Sequence, residues 1–211
     1  PTADVSANAG NKPYNIENVS PDAHLAPSVG DSSSKTSSKA WHKIDGVCYN
    51  GSGKKVEGAI TRGMDVSEWQ GKINWKEAKK DLDFAFVRIS YGTRHLDDYY
   101  DYNMTEAEAA DVPVGTYVYS LAKTNKEALA EAQLAIRQMQ GHKVSYPVAF
   151  DLEDEATLGT LTRKEISQIA LTFCDEIRKA GYTPILYMNL NWYNNFVDWN
   201  VLEGSGLDVW I

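Results

Sequence analysis

The run Ala149-Phe150-Asp151-Leu152-Glu153-Asp154 places two carboxylates two residues apart in an otherwise apolar stretch. In an extended chain successive side chains alternate between faces, so Asp151 and Glu153 share one face, Cα atoms about 6.6 Å apart, while Phe150 and Leu152 take the other. Buried charges are costly unless compensated, and no cation stands beside this pair in sequence. Acid–base chemistry gives the pair a purpose: a carboxyl crowded by like charges keeps its proton, and its neighbour stays ionised. Asp65, in "GMDVSEWQG", also closes a short apolar stretch and is followed by a glycine-containing turn. Asp154 and Asp97 read differently, as helix N-caps or turn formers. Arg88, inside the apolar run "FAFVRIS", is expected to neutralise the acid cluster and not to bind a ligand. His24, His42, His95 and His142 show neither a nucleophile-histidine pairing nor metal-ligand spacing, so no metal and no cofactor is expected.

Aromatic residues accompany the acids. Tyr117 and Tyr119 fall on one face of a predicted strand, Tyr187 ends another, and Trp69, Trp192 and Trp210 lie near further strand ends. Flat rings cover the axial C–H surface of a sugar, and phenol and indole groups supply hydrogen bonds at its edge, so these six are candidate binding residues for a carbohydrate. Ordinary core packing competes for the same residue types and is the reading for Trp75 and Trp199.

A rigid frame must bring these groups together. From Arg62 onward apolar runs alternate with helical patterns, which predicts strand-helix-strand units and a parallel sheet. Strands are expected at 63–67, 84–90, 114–120, 148–153, 184–189 and 208–211, and helices at 75–81, 99–110, 126–140 and 163–180. Ile166, Ile169, Ala170, Phe173 and Ile177 recur at helical spacing, and Gly141 and Gly181 stand where helix C-caps belong. Strands apolar on both faces fit a sheet buried beneath helices, and carboxyl ends of such strands form the mouth where reactive groups collect. The expectation is an α/β fold, a TIM-like (β/α) barrel with fewer helices than usual, left incomplete because the chain stops inside the strand "DVWI".

Ahead of the barrel, residues 1–40 are rich in Ser, Asn, Asp, Ala and Pro and read as a flexible leader or linker. Residues 41–61 read as a β-hairpin turning at Asn50-Gly51 and Ser52-Gly53, with residues 62–211 forming the barrel domain. Length permits this division: 211 residues exceed the ~100–150 of a typical domain but lie within the ~200–250 of a barrel. Hydrophobic residues at 43% and charged residues at 24% match globular averages of ~45–50% and ~25%, which excludes wholesale disorder. A formal charge of -8, without a basic stripe, excludes a phosphate-backbone partner. No apolar run approaches the ~20 residues of a membrane span. Cys48 and Cys174 give neither a disulfide framework nor a zinc pattern.

Taken in order, "GMDVSEWQGKINW", "FAFVRISYG", "DDYYDYN", "VPVGTYVYS", "YPVAFDLED" and "AGYTPILYMNLNWY" resemble the family-25 glycoside hydrolase lysozymes, muramidases of bacteria and phages. The resemblance spans residues 62–211. It implies cleavage of the β-1,4 bond between N-acetylmuramic acid and N-acetylglucosamine, peptidoglycan glycan strands as partner, and secretion to the cell wall. Position by position, Glu153 resembles the general acid and Asp65 and Asp151 its acidic partners, with Tyr117, Tyr119 and Tyr187 in the groove. The family's last strands, with a Trp-Gln-Tyr type segment and a further acid, have no counterpart before Ile211. The hairpin region loosely resembles one unit of the β-hairpin wall-binding repeats of lytic enzymes. With Asp151 and Asp65 ionised beside it, Glu153 is expected to hold the proton. A retaining pair spaces its carboxyls ~5–5.5 Å apart and an inverting pair ~6.5–9.5 Å; sequence spacing leaves both open, along with assistance by a substrate N-acetyl group. Two further readings stand beside this one: a noncatalytic wall-glycan-binding module, and a barrel hydrolase of another N-acetylated polysaccharide.

Overall fold

The computed structural model describes residues 41–211, so the expected leader at 1–40 lies outside the described residues. The first element is a hairpin of β1 (His42–Ile44) and β2 (Val47–Tyr49). Its turn is Asp45-Gly46, both with positive φ (49° and 79°), and not the expected Asn50-Gly51. Both dipeptides carry the chemistry of a tight turn. Asp-Gly takes the two-residue loop, while the Asn50 side chain folds a second reversal by accepting from the N–H groups of Ser52 (3.1 Å) and Lys54 (2.9 Å). Lys43 of β1 reaches the Asp83 carboxylate (2.9 Å), which also accepts from the Arg62 N–H (2.7 Å), and so ties the hairpin to the segment that enters the sheet.

Six parallel strands then follow one another in chain order: β3 (Gly63–Val66), β4 (Phe84–Tyr91), β6 (Val114–Tyr119), β7 (Val144–Asp151), β8 (Pro184–Tyr187) and β9 (Asp208–Trp210). A short β5 (His95–Leu96) pairs antiparallel with β4. The crossovers carry α1 (Trp75–Ala78), α2 (Tyr100–Ala109), α3 (Asn125–Met139), α4 (Glu155–Leu158), α5 (Arg163–Lys179), α6 (Leu190–Asn195) and α7 (Trp199–Leu202), with a 3-10 helix at Glu68–Gln70. The sheet curls into a half-barrel of TIM type, and β3 and β9 are its unclosed edges among the described residues.

The two faces of the sheet have different jobs. Val87, Ile89, Val118, Phe150, Leu152 and Leu186 join the helices in the main core, where Phe150 stacks on Phe173 of α5 at 4.0 Å. Phe86, Ala149 and Ile185 form a smaller cluster on the opposite, inner face, covered by Tyr117, Tyr146, Tyr187 and Trp210. Gly115 makes this inner packing possible, because a Cβ there would meet the Phe86 ring at 2.6 Å and the Pro147 carbonyl at 2.6 Å. Helix α5 begins on a capping box of Thr162 and Glu165, and α3 and α5 both terminate at glycines with φ of 90°, Gly141 and Gly181, as expected.

Strand β7 begins at Val144, ahead of the expected 148. Pro147 does not end the strand: the β6–β7 register shifts between Val114 and Thr116, which absorbs the proline as an irregularity inside one longer strand.

Candidate active site

Lateral pairing lines up the carboxyl ends of four strands. Asp151 is the last residue of β7 and lies between Tyr119 of β6 and Tyr187 of β8, and Tyr187 in turn pairs with Trp210 of β9. The strand ends at Asp151, two residues short of the expected end, yet the Leu152 N–H still donates to the Tyr187 carbonyl (3.0 Å) and the Leu152 side chain enters the helical core. Alternation therefore persists past the strand terminus, and Glu153 returns to the inner side with Asp151.

Electrostatics link the three acids across the sheet. Asp151 is only 5% exposed, and burial, then the charge of Glu153, then that of Asp65 push its pKa well above the ordinary carboxylate range, with Arg88 opposing. Its Oδ1 is buried without a hydrogen-bond partner. Asp65, exposed on β3, acts on Asp151, Tyr117 and Tyr187 alike. Glu153 is half-buried, and its Oε2 accepts from the Asn189 amide at 3.2 Å. A cluster of this kind holds a proton at a pH where isolated carboxyls have lost theirs. Burial also raises the phenols of Tyr117, Tyr119 and Tyr187, with neighbouring carboxylates adding to the effect, so all three remain neutral hydrogen-bond donors.

The aromatic expectations divide. Tyr119 stacks on Tyr91 (4.8 Å between centroids), and both phenols donate to Asp154 Oδ2, at 3.4 and 3.3 Å. Trp210 lies on the inner face, tilted against Phe86 at 4.9 Å and meeting Tyr187 edge-on at 4.7 Å. Trp69, on the 3-10 helix after β3, is 80% exposed. Trp192 is not brought to the site: it is 2% exposed, sits in the main core and stacks on Phe196 at 4.3 Å. Its place in the first turn of α6 turns the ring toward the core, something nearness to a strand end in sequence does not reveal. Tyr117 belongs to the inner cluster beside Asp65 and Asp151.

Arg88 takes partners other than the acids expected for it. Its guanidinium, on a side chain 7% exposed, donates from Nε to Asp97 Oδ2 (2.9 Å) and pairs with Glu68 (2.9 Å). Glu68 also meets His95 Nε2 (2.8 Å), and Asp97 accepts from the N–H groups of Glu68 (2.8 Å) and Tyr99 (3.0 Å). Asp97 is thus the buried counter-ion of an inner-face cation. Asp154 is an N-cap as expected, accepting from the Thr157 N–H of α4 (2.7 Å), and in addition gathers the two tyrosines. Asn189, Tyr91 and Glu68 were not singled out by residue type; for Asn189 the available signal was an N-cap residue type at the last position of an expected strand. Glu131 of α3 is a further buried acid, raised to about 7 by burial, whose carboxylate accepts from Ser120 Oγ (2.8 Å) and the Leu121 N–H (3.0 Å) and so fastens the loop after β6.

Asp151→Asn is a test of this electrostatic picture. A carboxyl whose folded pKa is raised contributes stability that is full below its unfolded pKa and is lost as pH rises through the folded value. The asparagine variant is therefore expected to melt higher than the parent at neutral pH and to show a flatter dependence of Tm on pH between 4 and 8, while activity falls about 10²-fold. An unchanged Tm–pH curve would remove the buried charge from the account.

Comparison with known proteins extends this picture. The family model described as glycosyl hydrolases family 25 matches residues 64–211. Uncharacterized protein YegX of Escherichia coli (strain K12) is 26% identical over 139 residues, 63% of this chain and 49% of that one. The chain thus spans about half the length of the curated relatives it matches first. Among solved structures, a family 25 glycosyl hydrolase from Bacillus anthracis aligns with a TM-score of 0.63 and 22% identity, over 85% of this chain and 76% of that one. The modular autolysin LytC from Streptococcus pneumoniae, in complex with synthetic peptidoglycan ligand, aligns with a TM-score of 0.59 and 23% identity, over 74% of this chain and 39% of that one. At these identities the structural likenesses speak for the fold.

Proposed function

Since the chain belongs to glycosyl hydrolases family 25, we propose that it is a lysozyme, hydrolysing the β-1,4 bond between N-acetylmuramic acid and N-acetylglucosamine in peptidoglycan. The observation that carries this reading is the mutual electrostatic contact of Asp65 and Glu153 with the buried Asp151 at the carboxyl ends of β3 and β7. Glu153, half-buried at the mouth, is the member that passes a proton to the leaving glycosidic oxygen. Asp65, exposed on β3, stabilises the positive charge that develops on the sugar ring as that bond breaks, and Asp151, whose buried carboxyl titrates well above the ordinary carboxylate range, adds its charge only once its own proton has left. Tyr117, Tyr119, Tyr187, Trp210 and the exposed Trp69 supply neutral donors and ring faces to the glycan. LytC, which shares this fold, has been seen with a peptidoglycan ligand, and that supports the same polymer as partner here. Its place of action is then the cell wall. Residues 62–211 constitute the catalytic domain, with the hairpin at 41–61 as an accessory that resembles one wall-binding repeat.

A reducing-end assay on purified peptidoglycan and on chitin tests the substrate class. New reducing ends are expected from peptidoglycan and few from chitin. Saturable wall binding without new ends would leave a glycan-binding module, and preferential release from chitin would move the activity to another N-acetylated polysaccharide.

A further inference from the structure

Among the described residues, the Glu153 carboxyl accepts one side-chain hydrogen bond, and it comes from Asn189. Asn189 follows β8 and caps α6, with Oδ1 accepting from the Trp192 N–H at 3.1 Å. This cap decides which way the amide faces. A helix N-terminus presents N–H donors, so the oxygen must point at Trp192 and the NH2 group must point away from it. What lies on that other side, at 3.2 Å from Nδ2, is Glu153 Oε2. The flipped amide would set an N–H against an N–H and an oxygen against a carboxyl oxygen, losing both bonds. The helix bearing this cap is itself fixed, since Trp192 is buried in the main core against Phe196.

We propose that Asn189 is a positioning residue for the hydrolysis read above: its cap-locked amide occupies the lone pair of Glu153 Oε2 and thereby leaves Oε1 as the oxygen that carries the transferable proton. The inference rests on Glu153 as general acid and adds a cause for the carboxyl's orientation. A carboxyl free to rotate would present its proton toward the glycosidic oxygen only part of the time, whereas one held by a fixed amide presents it continuously. Residue choice at the cap is consistent with this. Asn, Asp and Ser cap a helix about equally well, and of the three only Asn brings an amide N–H2 to the neighbouring carboxyl. The titratable groups in electrostatic reach of Glu153 are the carboxyl of Asp151 and the phenols of Tyr119 and Tyr187, with Asp65 acting on Asp151 and Tyr187 in turn, and the Asn189 variants below alter none of them.

The test uses Asn189→Ser and Asn189→Asp in the full-length protein, with peptidoglycan as substrate. Both substitutions keep a cap, so both variants are expected to unfold at the parent temperature. For Asn189→Ser, kcat is expected to fall about tenfold or more with KM unchanged, as when a reacting group loses its fixed orientation. For Asn189→Asp, the new carboxyl beside Oε2 is expected in addition to move the alkaline limb of the pH–kcat profile upward by about one unit. Parent kcat and an unmoved pH profile in Asn189→Ser would overturn the proposal. So would a loss of activity that only tracks a lowered unfolding temperature. A parent-like Asn189→Ser beside an inactive Glu153→Gln would refute the role of Asn189 alone; an active Glu153→Gln would refute the assignment of the acid on which it depends.

Discussion

Glu153→Gln is expected to lower kcat on peptidoglycan by about 10²–10⁴-fold while leaving the protein folded, the range that general acid catalysis contributes to such reactions. The substitution is close to isosteric and its local cost is small. Glu153 is half-buried, and its carboxyl accepts from the Asn189 amide, which can donate equally to the carbonyl oxygen of a glutamine. Only the proton is removed. KM is expected to change little, because the substitution touches none of the residues proposed to hold the sugar rings, Tyr117, Tyr119, Tyr187, Trp210 and the exposed Trp69. Steady-state rates together with a Tm comparison check both halves. A variant folded like the parent and cutting the wall at the parent rate would refute Glu153 as the acid.

Arg88→Met is expected to cost about 3–5 kcal/mol of folding stability, because removing one partner of a buried ion pair leaves the other uncompensated. The Asp97 side chain has no exposed surface, and its Oδ2 receives both Arg88 Nε and the Glu68 N–H. Without the guanidinium that carboxylate retains backbone N–H donors from Glu68 and Tyr99 and no counter-charge in contact. Methionine fills a comparable volume in the inner face, so cavity formation adds little. Against a typical total of ~5–15 kcal/mol the loss is large enough to see in urea titration at room temperature. Pairing it with Asp97→Asn should recover part of the loss, since the buried charge is then gone as well. A single variant within about 1 kcal/mol of the parent would show that Arg88 and Asp97 do not depend on one another. Activity should fall too, because Arg88 is the cation that opposes the raised pKa of Asp151.

The sheet and its order were legible from the chain because each strand is a short apolar run and each long helix repeats its apolar positions at helical spacing, as Ile166, Ile169, Phe173 and Ile177 do. Three of the short helices were not, although α1 was expected at 75–81. α4, α6 and α7 span four to six residues, less than two turns, and leave no period to detect. Their starts were readable all the same, since Asp154, Asn189 and Asp198 are each side-chain caps. Trp192 shows how that omission spreads: without helix α6, a tryptophan just after a strand looks like a rim residue, and with it the ring turns into the core. Arg88 shows a different limit. Sequence places it on a buried strand but does not say which acids reach it, and the partners come from residues 68 and 97, around the end of β3 and ahead of α2. The pairing of Asp151 with Glu153 survived a wrong strand boundary because Leu152 still buries its side chain, which keeps the alternation going for the two residues that matter.

Digesting purified peptidoglycan, reducing the products with borohydride and identifying the new ends by mass spectrometry puts the central claim to its most direct test. Acid-assisted cleavage at the proposed bond converts N-acetylmuramic acid ends to N-acetylmuramitol, in an amount that grows with time for the parent protein and not for Glu153→Gln. New ends appearing as N-acetylglucosaminitol, or no new ends at all from folded full-length protein, would contradict it.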